Sequence, residues 1–139
     1  MASLFPDAYM HIGGDENEGK QWDRNPQIQA FMKEKGIKDN HALQAYFNQR
    51  VLKILQKHHK KMIVWEGFGP KGKIEIPKDI TVMAYEIAFY QPDALVKDGY
   101  SIVNASWTPL YVVNGNCRAP EEIYAWNLFQ FKKFKAPAA

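Results

Sequence analysis

Four short apolar runs punctuate the chain: Tyr9-Met10-His11-Ile12, Met62-Ile63-Val64-Trp65, Val82-Met83-Ala84-Tyr85 and Ile102-Val103-Asn104-Ala105. Each is too short for a helix and is bounded by polar or turn-forming residues, which predicts strands. Between the runs the period changes to that of a helix. Asn25-Pro26 supplies an N-cap followed by proline at the first helical position, and Gly36 stops that helix. From Asn40 to His59, Leu43, Phe47, Val51, Ile54 and Leu55 recur at helical spacing, while Gln44, Asn48, Lys53 and Lys57 occupy other faces. The apolar stripe is predicted to pack on the sheet. Residues 67–79 are rich in glycine, proline and lysine and predict an irregular or very short crossover. Pro92 to Lys97 predicts a short helix stopped by Gly99. A last helix is predicted from Pro120, with Glu121 and Glu122 in its first turn and Ile123, Trp126, Phe129 and Phe131 as apolar content. Strands that alternate with helices imply an α/β fold with a parallel sheet. There is no internal repeat, and residues 135–139 are expected to be a frayed tail.

With 46% hydrophobic and 14% aromatic residues in 139, the chain can bury a core as one domain. A net charge of +3, with lysines scattered or grouped at Lys132, Lys133 and Lys135, gives no support to nucleic-acid binding. The lone Cys117 rules out an internal disulfide and a cysteine-based zinc site. No basic segment precedes an apolar signal-type stretch, and no uninterrupted apolar run approaches ~20 residues. A soluble chain without a membrane span is therefore expected, in a compartment the sequence leaves open.

The first strand runs into Gly13-Gly14-Asp15-Glu16. Side chains alternate along a strand, but a two-glycine turn lets adjacent carboxyl groups swing into one space. Two converging carboxyl groups favour one protonated acid beside one ionised partner, which makes a proton donor. Most such pairs only decorate a loop or cap a helix.

The flanking residues change that weighting. His11-Ile12-Gly13-Gly14-Asp15-Glu16 is similar to the signature of glycoside hydrolase family 20, the β-N-acetylhexosaminidases. In that family the motif ends the fourth strand of a (β/α)8 barrel, and later strands each deliver an aromatic residue to the same sugar pocket. Trp65 and Tyr85 end the second and third runs here, and Trp107 and Tyr111 follow the fourth. The resemblance spans roughly residues 5 to 131. It departs at Tyr85, where family members commonly have tryptophan, and at Val113, where they often have an acidic residue.

The resemblance implies substrate-assisted retaining hydrolysis, an exception to the usual pair of opposed carboxyl groups. Glu16 is the implied general acid and base. Asp15 orients the acetamido nitrogen, and Tyr111 donates to the acetamido oxygen. Trp65, Tyr85 and Trp107 wall the sugar, and His11 is the implied buried support for the acid pair. No metal or organic cofactor is implied, and the partner is an N-acetylhexosamine-containing glycan. A closed barrel typically needs ~250 residues, so residues 1–139 are expected to form a single partial TIM barrel, a half-barrel of about four parallel strands with flanking helices. Those strands resemble strands four to seven. The wall without a counterpart implies either a fragment or a second chain, and a homodimer is the expected cover for the open edges. The alternatives are a noncatalytic carbohydrate-binding remnant and an assembly subunit that completes a barrel.

Three rival motifs carry less. Gly67 to Gly72 fits GxGxxG, but a phosphate-binding turn opens directly into a helix, and Pro70 with the following residues reads as extended loop. His58 and His59 lie at a helix end, suited to its dipole rather than to metal binding. Asn104-Ala105-Ser106 is a glycosylation sequon in a strand, where modification is not expected.

Overall fold

The computed structural model describes residues 4–68, 76–86 and 90–132. The four runs form β1 (Tyr9–His11), β2 (Lys61–Trp65), β3 (Thr81–Ala84) and β4 (Ser101–Asn104). They make one parallel sheet in the order β1-β2-β3-β4. Register places His11 beside Ile63, Ile63 beside Thr81 and Thr81 beside Ser101, so all four strands end on the same side of the sheet. The helices are α1 (Lys20–Asp23), α2 (Pro26–Lys35), α3 (Asn40–Lys57), α4 (Pro92–Lys97), α5 (Trp107–Leu110) and α6 (Pro120–Tyr124). This is a partial TIM barrel of α/β class. The tail at 135–139 and most of the 67–79 crossover, with the end of its GxGxxG match, lie outside the described residues.

Local chemistry sets the helix ends as the sequence implies. Asn25 accepts from the backbone N–H groups of Gln27 and Ile28 at 3.0 and 3.3 Å, and Gly36 closes α2 in the left-handed region. Asp39 caps α3 by accepting from Ala42 at 2.8 Å.

The strand period of two divides the sheet into unlike faces. Met62, Val64, Val82 and Ala84 are wholly buried and join Leu52, Leu55 and Leu95 of the helices in the main core cluster. Their neighbours Ile63, Trp65, Thr81 and Met83 occupy the other face and are half-buried. A parallel sheet normally buries both faces; among the described residues only the helix-covered face is closed.

Two expectations need correction. On α3 the buried positions are Ala42, Gln44, Ala45, Asn48, Leu52 and Leu55, whereas Phe47 and Ile54 of the predicted stripe are 57% and 52% exposed. Ala45, Leu52 and Leu55 face the sheet in the main core cluster, while Phe47 and Ile54 line a groove shared with α1 and α2. The helix from Pro120 ends at Tyr124, not beyond Phe129. Beyond its end Asn127 sets a separate turn: its side chain accepts from the Phe129 N–H at 2.9 Å, and its carbonyl accepts from Gln130 at 2.9 Å. The buried Asn104 side chain then donates to the carbonyls of Leu128 and Gln130 at 2.9 and 3.0 Å. The returning segment is thereby tied to the end of β4, with Phe131 buried in the core. With its amide nitrogen so engaged, Asn104 is not presented as a glycan acceptor.

Candidate active site

The chemistry gathers where the strands end. After β1 the chain turns through Gly13 and Gly14, both with positive φ, and Glu16 follows in the left-handed region at φ 48°. Ladder pairing continues into this turn, since Ile12 donates to Ile63 at 3.0 Å and Trp65 donates to the Gly13 carbonyl at 3.0 Å. His11 Nδ1 accepts from the Gly13 N–H at 3.0 Å. The ring is exposed at the strand end rather than buried as expected, because it lies on the open face of the sheet. It packs edge-on against Trp65, with centroids 5.2 Å apart, and partial burial holds its pKa below the usual histidine range despite the opposing pull of Asp15.

Trp65 in turn meets Tyr85 edge-on at 5.3 Å. Trp107 opens α5, one turn after β4, and stacks on Tyr111 with centroids 4.0 Å apart and planes 18° from parallel. Ser106 supports this turn from below by donating to Asn104 Oδ1 through both its backbone N–H and its hydroxyl. The result is one cavity of about 200 Å³ lined by Asp15, Glu16, Trp65, Tyr85, Trp107 and Tyr111, together with Ala105. Of the residues singled out in the sequence, only His11 stands behind this lining, in contact with Trp65.

Tyr85 is buried, and its hydroxyl finds no hydrogen-bond partner among the described residues. Burial first, then the carboxylates of Glu16, Asp15 and Glu66, push its pKa up to about 12. It therefore stays a neutral phenol throughout the ordinary pH range.

A larger cavity of about 510 Å³ lies between α1, α2 and α3, away from the strand ends and lined mainly by side chains such as Phe31, Leu43 and Phe47. It lacks convergent acids, so volume does not locate the site; the carboxyl groups and aromatic walls do. Among the described residues no cluster of three or more His, Cys, Asp or Glu side chains is placed to hold a metal. None of the helices described is long and apolar enough to cross a membrane.

The family model for the glycosyl hydrolase family 20 catalytic domain matches residues 1–137. The chain belongs to glycosyl hydrolase family 20. It is 36% identical over 112 residues to the beta-hexosaminidase subunit alpha of Rattus norvegicus, covering 77% of this chain and 21% of that one. Among solved structures, the chitobiase of Flavobacterium johnsoniae matches with 42% identity and a TM-score of 0.61, over 72% of this chain and 16% of that one. The beta-N-acetylhexosaminidase of Bacteroides fragilis matches 97% of this chain and 30% of its own with a TM-score of 0.70; at 22% identity it speaks for the fold. The family 20 chain thus spans about a fifth of the curated relative.

Two residues beside the acid-lined cavity carry no signal in the hydropathy pattern. Gln44 and Asn104 are polar positions within elements, yet both are buried and both hold backbone carbonyls of loops at the strand ends. Gln44, on a polar face beside an apolar stripe, looks like a surface position until its partner is seen, and Asn104, inside the fourth strand run, gives no sign of the two carbonyls it holds.

Proposed function

We propose that residues 1–139 form one partial catalytic domain of a β-N-acetylhexosaminidase that hydrolyses terminal N-acetylglucosamine or N-acetylgalactosamine β-glycosides. The supporting observation is that all four strand ends deliver side chains to one cavity: two carboxyl groups after β1, and aromatic residues from β2, β3 and β4. A sugar presents apolar ring faces and polar edges, and this lining offers both kinds of contact.

Adjacent carboxyl groups on one short turn cannot flank an anomeric carbon from opposite sides, as the usual two-carboxylate mechanism requires. A nucleophile within the substrate removes that requirement. The 2-acetamido carbonyl oxygen attacks the anomeric carbon while Glu16 protonates the departing glycosidic oxygen, giving a cyclic oxazolinium intermediate. Asp15 holds the acetamido nitrogen and balances the positive charge. Glu16, now ionised, removes a proton from water as it opens the ring, and two displacements leave the configuration retained. Tyr111 donates to the acetamido oxygen, fixed in place by its stacking on Trp107. Trp65, Tyr85 and Trp107 wall off the pocket, and His11 supports Trp65.

A homodimer is the proposed assembly. Among the described residues β1 pairs only with β2 and β4 only with β3, leaving two sheet edges open, with Leu4, Phe5 and Tyr9 exposed on and before β1. A second chain would cover these edges and extend the sugar wall.

The deciding assay is hydrolysis of an aryl N-acetylglucosaminide, with the glucoside that lacks the acetamido group as control. The reading expects turnover of the first only, and competitive inhibition by a thiazoline mimic of the intermediate. Equal turnover of both, or of neither, refutes it. Light scattering across a dilution series tests the assembly; a fully active monomer at every concentration rejects the dimer.

A further inference from the structure

We propose that Gln44 is a positioning residue for the acid pair, acting through the Gly14 carbonyl. The inference rests on the proposed roles of Asp15 and Glu16. Gln44 lies in the first turns of α3 and is only 4% exposed. Its Nε2 donates to the Gly14 carbonyl oxygen at 2.7 Å, across 30 residues of sequence. That carbonyl belongs to the peptide group that leads into Asp15, so its direction sets the plane from which the Asp15 side chain departs.

The same peptide group is gripped on its other sides. A Cβ on Gly14 would lie 3.1 Å from Val64 Cγ2, and a Cβ on Gly67 would lie 1.8 Å from the Gly14 oxygen and 3.0 Å from Asp15 Cα. The preceding carbonyl, of Gly13, is held by the Trp65 N–H. Glycines at 13 and 14 have the widest conformational freedom of any residues, so a turn built from them needs external restraint to present acids in one geometry. Strand β2 restrains it along the sheet, Gly67 covers it, and Gln44 supplies a side-chain hydrogen bond to the Gly14 oxygen. A buried amide that donates to a backbone carbonyl also accounts for a glutamine on the sheet-facing side of an amphipathic helix, where an apolar residue is the ordinary choice.

Two nearly isosteric substitutions separate positioning from packing. Gln44→Met keeps volume and removes the donor. It is expected to lower kcat on the order of 10- to 100-fold, as a misplaced catalytic group does, with KM within about threefold of wild type. Gln44→Glu keeps shape but donates only when its carboxyl group is protonated, and burial favours that neutral form. Its kcat relative to Gln44→Met is expected to rise as pH falls through the ionisation of the introduced carboxyl group. A side chain needed only for packing gives no such pH-dependent difference.

Wild-type kcat in both variants, or a loss that follows melting temperature with no pH-dependent recovery in Gln44→Glu, overturns the proposal. If Gln44→Met does not fold, the contrast between low and high pH in Gln44→Glu decides alone. If the wild-type protein turns over no N-acetylhexosaminide, the proposed function fails on its own account. Amide resonances of Gly14, Asp15 and Glu16 then decide for Gln44: displacement confined to the turn in the variants supports it, and unchanged resonances refute it.

Discussion

Gly67→Ala puts the packing of the acid turn to a direct test. Gly67 follows the buried Glu66 just beyond β2, with its bare Cα against the Gly14 carbonyl. A methyl group there would fall 1.8 Å from the Gly14 oxygen, while carbon and oxygen not bonded to each other ordinarily approach no closer than about 3.3 Å. Something must therefore move by about 1.5 Å. β2 cannot easily move: Met62 and Val64 are wholly buried, and Trp65 is locked to Gly13 and Met83 is bonded to Glu66 through the backbone. The glycine turn is the softer partner, and the displacement passes to Asp15 and Glu16.

Overpacking of this kind costs about 1–3 kcal/mol, which at roughly 2–4 °C per kcal/mol lowers Tm by about 2–12 °C. A shift of an ångström or more in a catalytic group costs on the order of 100-fold in rate. Gly67→Ala is thus expected to remain folded at 25 °C yet lose about two orders of magnitude in kcat on an aryl N-acetylglucosaminide. Paired thermal melts and steady-state kinetics read both effects. An unchanged kcat in a variant whose Tm has fallen would show that the strain relaxes away from the turn, and would refute the claim that this contact aims the acids.

The chemistry of the pair separates by leaving group. Glu16→Gln should lose about 100- to 10,000-fold on an unactivated glycoside and recover strongly with a dinitrophenyl leaving group, whereas Asp15→Asn and Tyr111→Phe should recover little; equal recovery in all three rejects the assignment. Asn104→Ala removes donors to two carbonyls and an acceptor for Ser106, so a loss of about 2–3 kcal/mol is expected in denaturant melts, and a loss under 0.5 kcal/mol denies it the role of clamp. His11 should titrate below its unfolded value of about 6.5, because partial burial outweighs the pull of Asp15. Its neutral form accepts the Gly13 N–H, so its contribution to stability is complete above about 6.5 and is lost as pH falls through the lowered folded value; NMR titration checks this, and Asp15→Asn should depress the value further.

The sheet was legible because its strands declare themselves twice. Four short apolar runs end in an acid pair or an aromatic residue, and parallel register brings those ends to one side. The helix face was less legible, for a physical reason. Hydropathy favoured Phe47 and Ile54 as core, but the face of α3 turned to the sheet carries Ala45, Leu52 and Leu55, while Phe47 and Ile54 are left exposed. The extent of the last helix failed similarly, since Trp126, Phe129 and Phe131 suggested continuation while Asn127 and Asn104 bent the chain back.

Two supports of the site escaped the sequence for one reason. A pattern of hydrophobic and polar positions assigns amide side chains to the outside, yet a turn at the end of a buried strand leaves carbonyl groups that the ladder no longer satisfies. Gln44 reaches the Gly14 carbonyl, and Asn104 reaches those of Leu128 and Gln130. Each is an internal donor that replaces water. The need is greatest where loops are held rigid above a sheet, and that is where this chain gathers its acids and aromatic walls. Buried amides bonded to loop carbonyls are therefore a better guide to the supports of this site than its apolar stripes: the stripes report which elements pack, and the amides report which loops are held still.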